Sequence, residues 1–367
     1  MSRRIRTAIV GLGNCASSLV QGVAYCRALG DEAIGVPFPV LGGWRPEDVE
    51  IVAAFDVDAR KVGLDVSEAI FREPNCTAIF HRDVPASGVI VGRGPDLDGV
   101  SAFMRNQMPS RSFVVSELPP LTREEIVAAL KAAGTEVIIN FLPVGSQQAV
   151  EFWAGCAIEA GCALVNGIPV LIASDPRWSA RFEAAGLPVL GDDFKAQMGA
   201  TIVHRTLSHL FDMRGVKMDR TYQLNVGGNT DFLNMMDHDR LLTKRLSKTE
   251  AVQTAMVDRL EDQQIRIGPS DYVPWLNDNK IAYVRIEGRL FGGVRTEIEA
   301  RVSVEDSPNA AAMALIAIRL AKIARERGLA GNVGSLASFL FKHPPVQVDD
   351  EVGLARMLAF ADGREAE

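Results

Sequence analysis

Residues 223–249, QLNVGGNTDFLNMMDHDRLLTKRLSKT, gather Asn225, Asn229, Asp231, Lys244 and Lys248 around a glycine pair. Amides orient hydroxyl groups, and clustered ammonium groups lower one another's pKa, so that one of them can move a proton near neutrality. The others can hold a phosphate or stabilise a developing enolate oxygen. Asp278-Asn279-Lys280 before a strand and Lys342 within FLFKHPP add two further ammonium groups. A lysine pair at i, i+4 is also an ordinary solvated face, and Ser247-Lys248-Thr249-Glu250 reads equally as a capping box. A plain dehydrogenase needs a cofactor site and one acid/base; this many lysines point to a hydride transfer embedded in a longer reaction.

A cofactor turn stands at the front of the chain. In Ile5–Ser18, IRTAIVGLGNCASS, a strand runs into Gly11-x-Gly13 and a helix opens near Asn14, with Cys15 and Ala16 in its first turn. Gly11 permits the tight turn, Gly13 lets backbone approach a pyrophosphate, and Ala16 takes the third fingerprint position. The second strand ends at Asp56 in AAFDVDARKVG. A carboxylate there accepts ribose hydroxyls and repels a 2′-phosphate, favouring NAD, although Arg60 and Lys61 could host that phosphate. As a bland alternative, Asp56 is a solvated turn residue. Its distance from the glycine turn is explained by the Gly- and Pro-rich stretch 29–50.

Three more strand ends follow. Phe141-Leu142-Pro143-Val144-Gly145-Ser146 and Asn166-Gly167-Ile168-Pro169 suit the nicotinamide half of a cofactor, or are turn chemistry alone. Gly191-Asp192-Asp193-Phe194-Lys195 looks like a site rim, with backbone around Gly199 and Thr201 able to cradle a phosphate; alternatively Asp193 merely caps the next helix. The five histidines show no metal spacing, so no metal site is predicted.

The elements that must position these groups fall into two kinds. Ile5–Val10, Ile51–Phe55, Val137–Phe141, Ala163–Val165 and Pro188–Leu190 are continuously apolar runs separated by helical segments 14–28, 122–133, 146–160 and 175–185. That rhythm predicts a parallel sheet covered on both faces. Past residue 214 the period changes to two, in 221–226 and 297–305, which predicts antiparallel strands with one solvated or partner-covered face. Ser307 and Pro308, as N-cap and first helical residue, open an apolar helix to about Arg327 that returns to the first unit. The expectation is an α/β protein: a Rossmann-type doubly wound parallel sheet over 1–200 and 308–367, with an inserted α+β catalytic and oligomerisation domain over 201–307.

The 367 residues are 47% hydrophobic and 23% charged, enough for a core of about two domains. A formal net charge of −7 argues against a nucleic-acid binder. Five cysteines without a C-x-x-C pair, and no apolar run near the ~18 residues of a membrane span, lead to a cytoplasmic expectation.

Taken in order, GLGNCASS, FDVDARKVG, LPVGS, GDDFKAQMGAT, QLNVGGNTDFLN, LSKT, GPSDYVPWLNDNKIAYVRIEGR, EDSPN and FLFKHPP resemble the myo-inositol-1-phosphate synthases, in particular their shorter prokaryotic branch. The resemblance implies an NAD-dependent cyclisation of D-glucose 6-phosphate to 1D-myo-inositol 3-phosphate. C5 is oxidised, C6 enolises, the enolate closes on the C1 aldehyde, and C5 is reduced again. By motif position, Asn225, Asn229 and Asp231 would orient the sugar, and Lys244 and Lys342 would serve proton transfer at the C5 oxygen. Lys248 and Lys280 would hold the phosphate and stabilise enolate and aldehyde oxygens. Asp193, Asp278 and Asp306 would position these lysines or the nicotinamide. Pro143, Gly145, Asp192 and Asp193 join Gly11, Gly13, Asn14, Cys15, Ala16 and Asp56 as implied cofactor contacts. A homotetramer is implied as well. Ala196 departs from the serine that many relatives carry, removing one hydroxyl available to phosphate. Two rivals remain at this level: an ordinary NAD-dependent dehydrogenase, and a non-catalytic NAD-sensing protein.

Overall fold

Two sheets organise the computed structural model, which describes residues 3–237, 249, 251–254, 256 and 259–364. The strands are β1 (Ile5–Val10), β2 (Val49–Asp56), β3 (Gly92–Arg93), β4 (Val137–Asn140), β5 (Ala163–Asn166), β6 (Pro188–Leu190), β7 (Lys217–Gly227), β8 (Ile265–Tyr272), β9 (Asn279–Arg289), β10 (Arg295–Glu305) and β11 (Gly331–Asn332). The helices are α1 (Asn14–Leu29), α2 (Val66–Ala69), α3 (Ala102–Arg105), α4 (Arg123–Ala132), α5 (Gln147–Ala160), α6 (Pro176–Ala184), α7 (Ala200–Met213), α8 (Thr230–Asn234), α9 (Asp306–Glu326) and α10 (Asp350–Ala361).

The first sheet has the order β11-β6-β5-β4-β1-β2-β3, and every neighbouring pair is parallel. Its central run is the doubly wound order of dinucleotide folds, as expected. The continuous apolar strands now have a reason. Val137 and Ile139 of β4 pack on the α1 and α9 side, whereas Ile138 packs against α4 and α5 on the other. Both faces are covered, so no position can be polar without a partner. The side chains of Trp153 on α5 and Phe182 on α6 fill the second layer. The chain leaves this sheet after β6 and rejoins it at β11.

The long helix α9 is buried along most of its length against α1 and the strands. Its start differs from the expectation. Glu305 occupies the N-cap position without a capping side chain, and Ser307 lies inside the first turn. The Ser307 hydroxyl is committed elsewhere, to Asp278.

The second sheet runs β10-β9-β7-β8. β10 with β9 and β9 with β7 are antiparallel, but β7 with β8 is parallel, so this sheet is mixed rather than wholly antiparallel. The chain between those two strands must cross over, which a hairpin cannot do. The period of two sorts the faces: Val284, Ile286, Ile298 and Ala300 pack on Phe211 and Leu207 of α7. The opposite face carries Arg285 paired with Glu297 and Glu299, beside exposed Tyr283 and Leu224.

Candidate functional site

The cleft lies where α1, β4 and α7 begin or end and β7 runs past them, lined by backbone at one end and by charged side chains at the other. Gly11 turns the chain with φ +86°, and a Cβ there would sit 2.9 Å from the Phe141 carbonyl oxygen. Gly13 caps α1, lines the cleft, and has no protein atom within 4 Å of where a Cβ would project. That open space at a helix N-terminus fits an anionic pyrophosphate. The Asp56 carboxylate accepts backbone N–H bonds from Leu12 (2.6 Å), Val57 (2.7 Å) and Asp58 (2.8 Å), which fixes its direction at the cleft wall. It is therefore a held carboxylate rather than a solvated turn residue.

The nearby cations do not form a second anion site. Arg60 is tied to Asp58 (2.6 Å) and to the Pro109 and Ser112 carbonyls. Lys61 is buried, donates to the Leu12 carbonyl (2.8 Å) and Asn75 (2.9 Å), and burial lowers its pKa. Asn14 spends its carbonyl oxygen on the Cys76 and Thr77 amides, pinning the loop over α1. Cys15 also lines the cleft; burial, then Asp278 and Asp306, push its thiol up to about 12, so it stays protonated.

At the other end two ammonium–carboxylate pairs face the cleft. Lys342 Nζ donates to Asp193 Oδ1 at 2.8 Å, across 149 residues of sequence. The backbone holds this pair together, since Lys342 N donates to the Asp193 carbonyl (2.7 Å) and Asp193 sits in the left-handed region at φ +62°. Lys280 is paired with Asp306. Burial pulls the Lys280 ammonium down, but Asp306, with Asp231 and Asp278, outweighs it and the pKa is raised. Asp278 lies behind, accepting from Asn229 Nδ2 (2.9 Å), Ser307 N (3.0 Å) and Ser307 Oγ (2.9 Å). Burial, then the neighbouring Asp306, raise its pKa to about 6. The α7 N-terminus completes the wall: Gly199 caps it without a side-chain bond, and Ala196, Gly199, Ala200 and Thr201 line the cleft.

Of the residues singled out in the sequence, Gly11, Gly13, Asn14, Cys15, Asp56, Pro143, Asp193, Asn225, Asn229, Asp231, Lys280, Asp306 and Lys342 all line this one cleft. Others do not. Lys244 and Lys248, with the box at 247–250, lie outside the described residues except for Thr249. Ala16 is buried beneath the turn, and Gly145 serves a turn at φ +84°. Asp278 acts from behind the wall. Asp192 is a correction: it is fully buried and turned from the cleft, accepting from Asn166 (2.7 Å), the Ser174 hydroxyl (2.7 Å) and the amides of Ile172, Ala173 and Ser174. Lys195 is another, because its buried ammonium is bound to the Ser338 carbonyl and Asp350, both 2.6 Å away. Asp193 does not cap α7.

The glycine pair in NVGGN also has a packing cause. A Cβ on Gly228 would fall 2.4 Å from the Val273 carbonyl oxygen, so backbones meet there. Gln223 and Ser307 are cleft residues that sequence reading passed over. Gln223 had a signal, since it is two residues from Asn225 on a strand and so shares its face. Among the described residues no cluster could hold a metal ion, and no helix is long and apolar enough to cross a membrane.

Known proteins of this build agree. A family profile described as myo-inositol-1-phosphate synthase matches residues 199–307. The chain is 50% identical over 366 residues to an inositol-3-phosphate synthase of Mycolicibacterium smegmatis, covering 98% of each. It is 48% identical to that of Corynebacterium glutamicum, over 97% of this chain and 98% of the relative. The chain belongs to the inositol-3-phosphate synthase family. Among solved structures, that of Ari2 superposes with a TM-score of 0.79 at 32% identity, covering 98% of each chain. A myo-inositol-1-phosphate synthase-related protein of Thermotoga maritima shares the family's fold at a TM-score of 0.77 and 24% identity, covering 99% of this chain and 100% of that one.

Proposed function

We propose that the protein is an NAD-dependent inositol-3-phosphate synthase that cyclises D-glucose 6-phosphate to 1D-myo-inositol 3-phosphate without net redox change. The observation that carries this reading is the meeting of the Lys342–Asp193 and Lys280–Asp306 pairs with a dinucleotide turn in one cleft. A dehydrogenase needs one acid/base beside its cofactor; a ring closure needs protons moved at several oxygens. NAD fits the residues present, with the pyrophosphate over Gly13 and a ribose at Asp56. Arg60 and Lys61 are committed to other partners rather than turned toward a 2′-phosphate.

When bound, NAD supplies the oxidation of the C5 hydroxyl and the later reduction of the C5 ketone. The chain's own groups do the rest. Lys342, positioned by Asp193, takes the proton from the C5 hydroxyl as the uncharged amine, becomes the ammonium, and returns that proton to the same oxygen at the end. The C5 ketone acidifies C6, and the enolate oxygen that forms faces Lys280, whose charge is maintained by Asp306. The C6–C1 bond then forms as the C1 aldehyde oxygen gains the proton that C6 gave up, relayed by an uncharged amine of the lysine cluster, so atoms and electrons balance as an isomerisation. The phosphate is bound by backbone N–H groups at the α7 N-terminus with Thr201. Ala196 adds no hydroxyl there. Asn225 and Asp231 orient sugar hydroxyls, and Lys244 and Lys248 belong to the same chemistry by motif position.

The division into an NAD-binding unit, 1–200 with 308–367, and a catalytic unit, 201–307, is part of the same proposal. So is a homotetramer, built by pairing the outer face of the second sheet, where Tyr283 and Leu224 stand exposed among ion pairs. Incubating the protein with NAD and glucose 6-phosphate and following carbon and phosphorus NMR tests the reading. Inositol phosphate is the expected product; a gluconate derivative with accumulating NADH would identify a dehydrogenase instead.

A further inference from the structure

The chain entering α7 is held by a residue that the reaction as proposed above leaves unused. Asn309 closes the first turn of α9, three residues after Asp306. Its neighbour Ala310 lines the cleft, whereas Asn309 lies outside the wall, against residues 197 and 198. The Asn309 side-chain oxygen accepts from the Met198 amide at 2.7 Å, and its NH₂ group donates to the Met198 carbonyl. The Asn309 carbonyl accepts from the Gln197 amide at 3.1 Å as well.

The direction of this side chain has no alternative. The Met198 N–H only donates and the Met198 carbonyl only accepts, so a reversed amide would set NH₂ against N–H and oxygen against oxygen. Asn309 thereby pairs with both backbone groups of one residue, as a neighbouring strand would. The Met198 side chain, 61% exposed, takes no part. Aspartate could match only the N–H, and alanine could match neither group.

Met198 immediately precedes Gly199, which caps α7 without a side-chain bond. The first amides of a helix have no acceptor within it, so the path of 196–199 decides where those donors point. Ala196, Gly199, Ala200 and Thr201 form this part of the cleft wall. Further ties stand to the N-terminal side: Lys195 N donates to the Leu340 carbonyl (2.8 Å), and Gln197 Nε2 donates to the Gly35 carbonyl (3.0 Å). Asn309 fixes the residue next to the cap itself. The same turn of α9 carries Asp306, the partner of Lys280. Helical residues three apart are neighbours, so one rigid turn mounts both the entry to α7 and the carboxylate that holds the ammonium.

We infer that Asn309 is a positioning residue for the substrate phosphate, its amide clamping Met198 so that the α7 amides meet that group at a fixed place relative to Lys280. The inference rests on the sugar-phosphate reading given above.

Titration of the full-length protein with inorganic phosphate in the presence of NAD, followed by ³¹P NMR, tests this without turnover. Asn309→Ala is expected to weaken phosphate binding about tenfold, the size of one net hydrogen bond, and to raise KM for glucose 6-phosphate by the same factor. The turnover number and NAD affinity should change little, as for a lost contact that acts equally on bound substrate and transition state. Asn309→Asp, which sets a carboxylate oxygen against the Met198 carbonyl, should weaken phosphate at least as much. Unaltered phosphate affinity in either variant overturns the inference. A parallel fall in NAD affinity overturns it too, because Asn309 would then only support the fold. Hydrogen exchange of the unsubstituted protein supplies an arm that needs no variant. The Met198 amide should exchange slowly beside its exposed side chain, and added phosphate should slow the amides of 200–202. Fast exchange at Met198, or no response to phosphate, overturns the inference. Asn309-dependent phosphate binding by a protein that fails to cyclise glucose 6-phosphate sinks the proposed function alone.

Discussion

The two ends of the cleft are built from different materials. The proposed cofactor end is a surface of backbone: Gly11, Gly13, and an Asp56 carboxylate directed by three amides. The proposed substrate end is a set of charged side chains brought from distant positions, Asp193 after β6, Lys280 in β9, Asp306 in α9 and Lys342 near the C-terminus. Backbone geometry tolerates changes in neighbouring side chains, whereas a paired ammonium works only while its carboxylate is present. Substitutions at the two ends should therefore fail in different ways, one in cofactor affinity and the other in turnover.

The largest separation is expected for Lys280→Ala. Losing a group that stabilises developing charge should lower kcat by about 10³-fold, with the NAD dissociation constant little changed. Lys342→Ala should behave alike, and equilibrium dialysis beside steady-state kinetics reads both quantities. If NAD binding collapsed together with turnover, the two ends would not be separable.

Asp278 sharpens the contrast through pH. Its pKa is raised in the folded protein from 3.8 to about 6, so between those values the native state binds more protons than the unfolded chain. Its contribution is fully present below the unfolded value and is lost as pH rises through about 6, a change on the order of 3 kcal/mol. Asp278→Asn should flatten that portion of the stability profile, measured by urea unfolding across the range. An unchanged slope would mean that other groups dominate.

Gly11→Ala comes next. Positive φ and a 2.9 Å contact to the Phe141 carbonyl oxygen oppose a Cβ there. A cost of about 1–3 kcal/mol in stability is expected, with weaker NAD binding. Thermal unfolding with and without NAD separates the two effects. The smallest change is expected for Asp56→Ser, which removes the carboxylate that repels a 2′-phosphate and should narrow the preference for NAD over NADP by about tenfold, one ion-pair-sized interaction. An unaltered preference would show that Asp56 supports the turn alone.

The same contrast explains how much was legible in the sequence. The parallel sheet was readable because apolar runs and helical segments alternate, and Gly11-x-Gly13 ends its first strand. Residue types at the charged end were readable too, but their pairings were not. Nothing local distinguishes Asp193, which meets Lys342, from Asp192, which turns into the core, since the choice depends on a contact 149 residues away. Lys195 looked like a site lysine for the same reason, and its partner Asp350 lies on α10. The parallel pairing of β7 with β8 escaped because alternation reports an exposed face and not strand direction.

Isotope retention is the most direct test of the central claim, that one bound nicotinamide oxidises and then reduces the same sugar while the lysine pairs close the ring. Glucose 6-phosphate carrying deuterium at C5 should yield inositol phosphate with the label still on the corresponding carbon, even with excess unlabelled NADH in solution. Loss of the label to the soluble cofactor pool, with an oxidised sugar phosphate as product, would contradict the account.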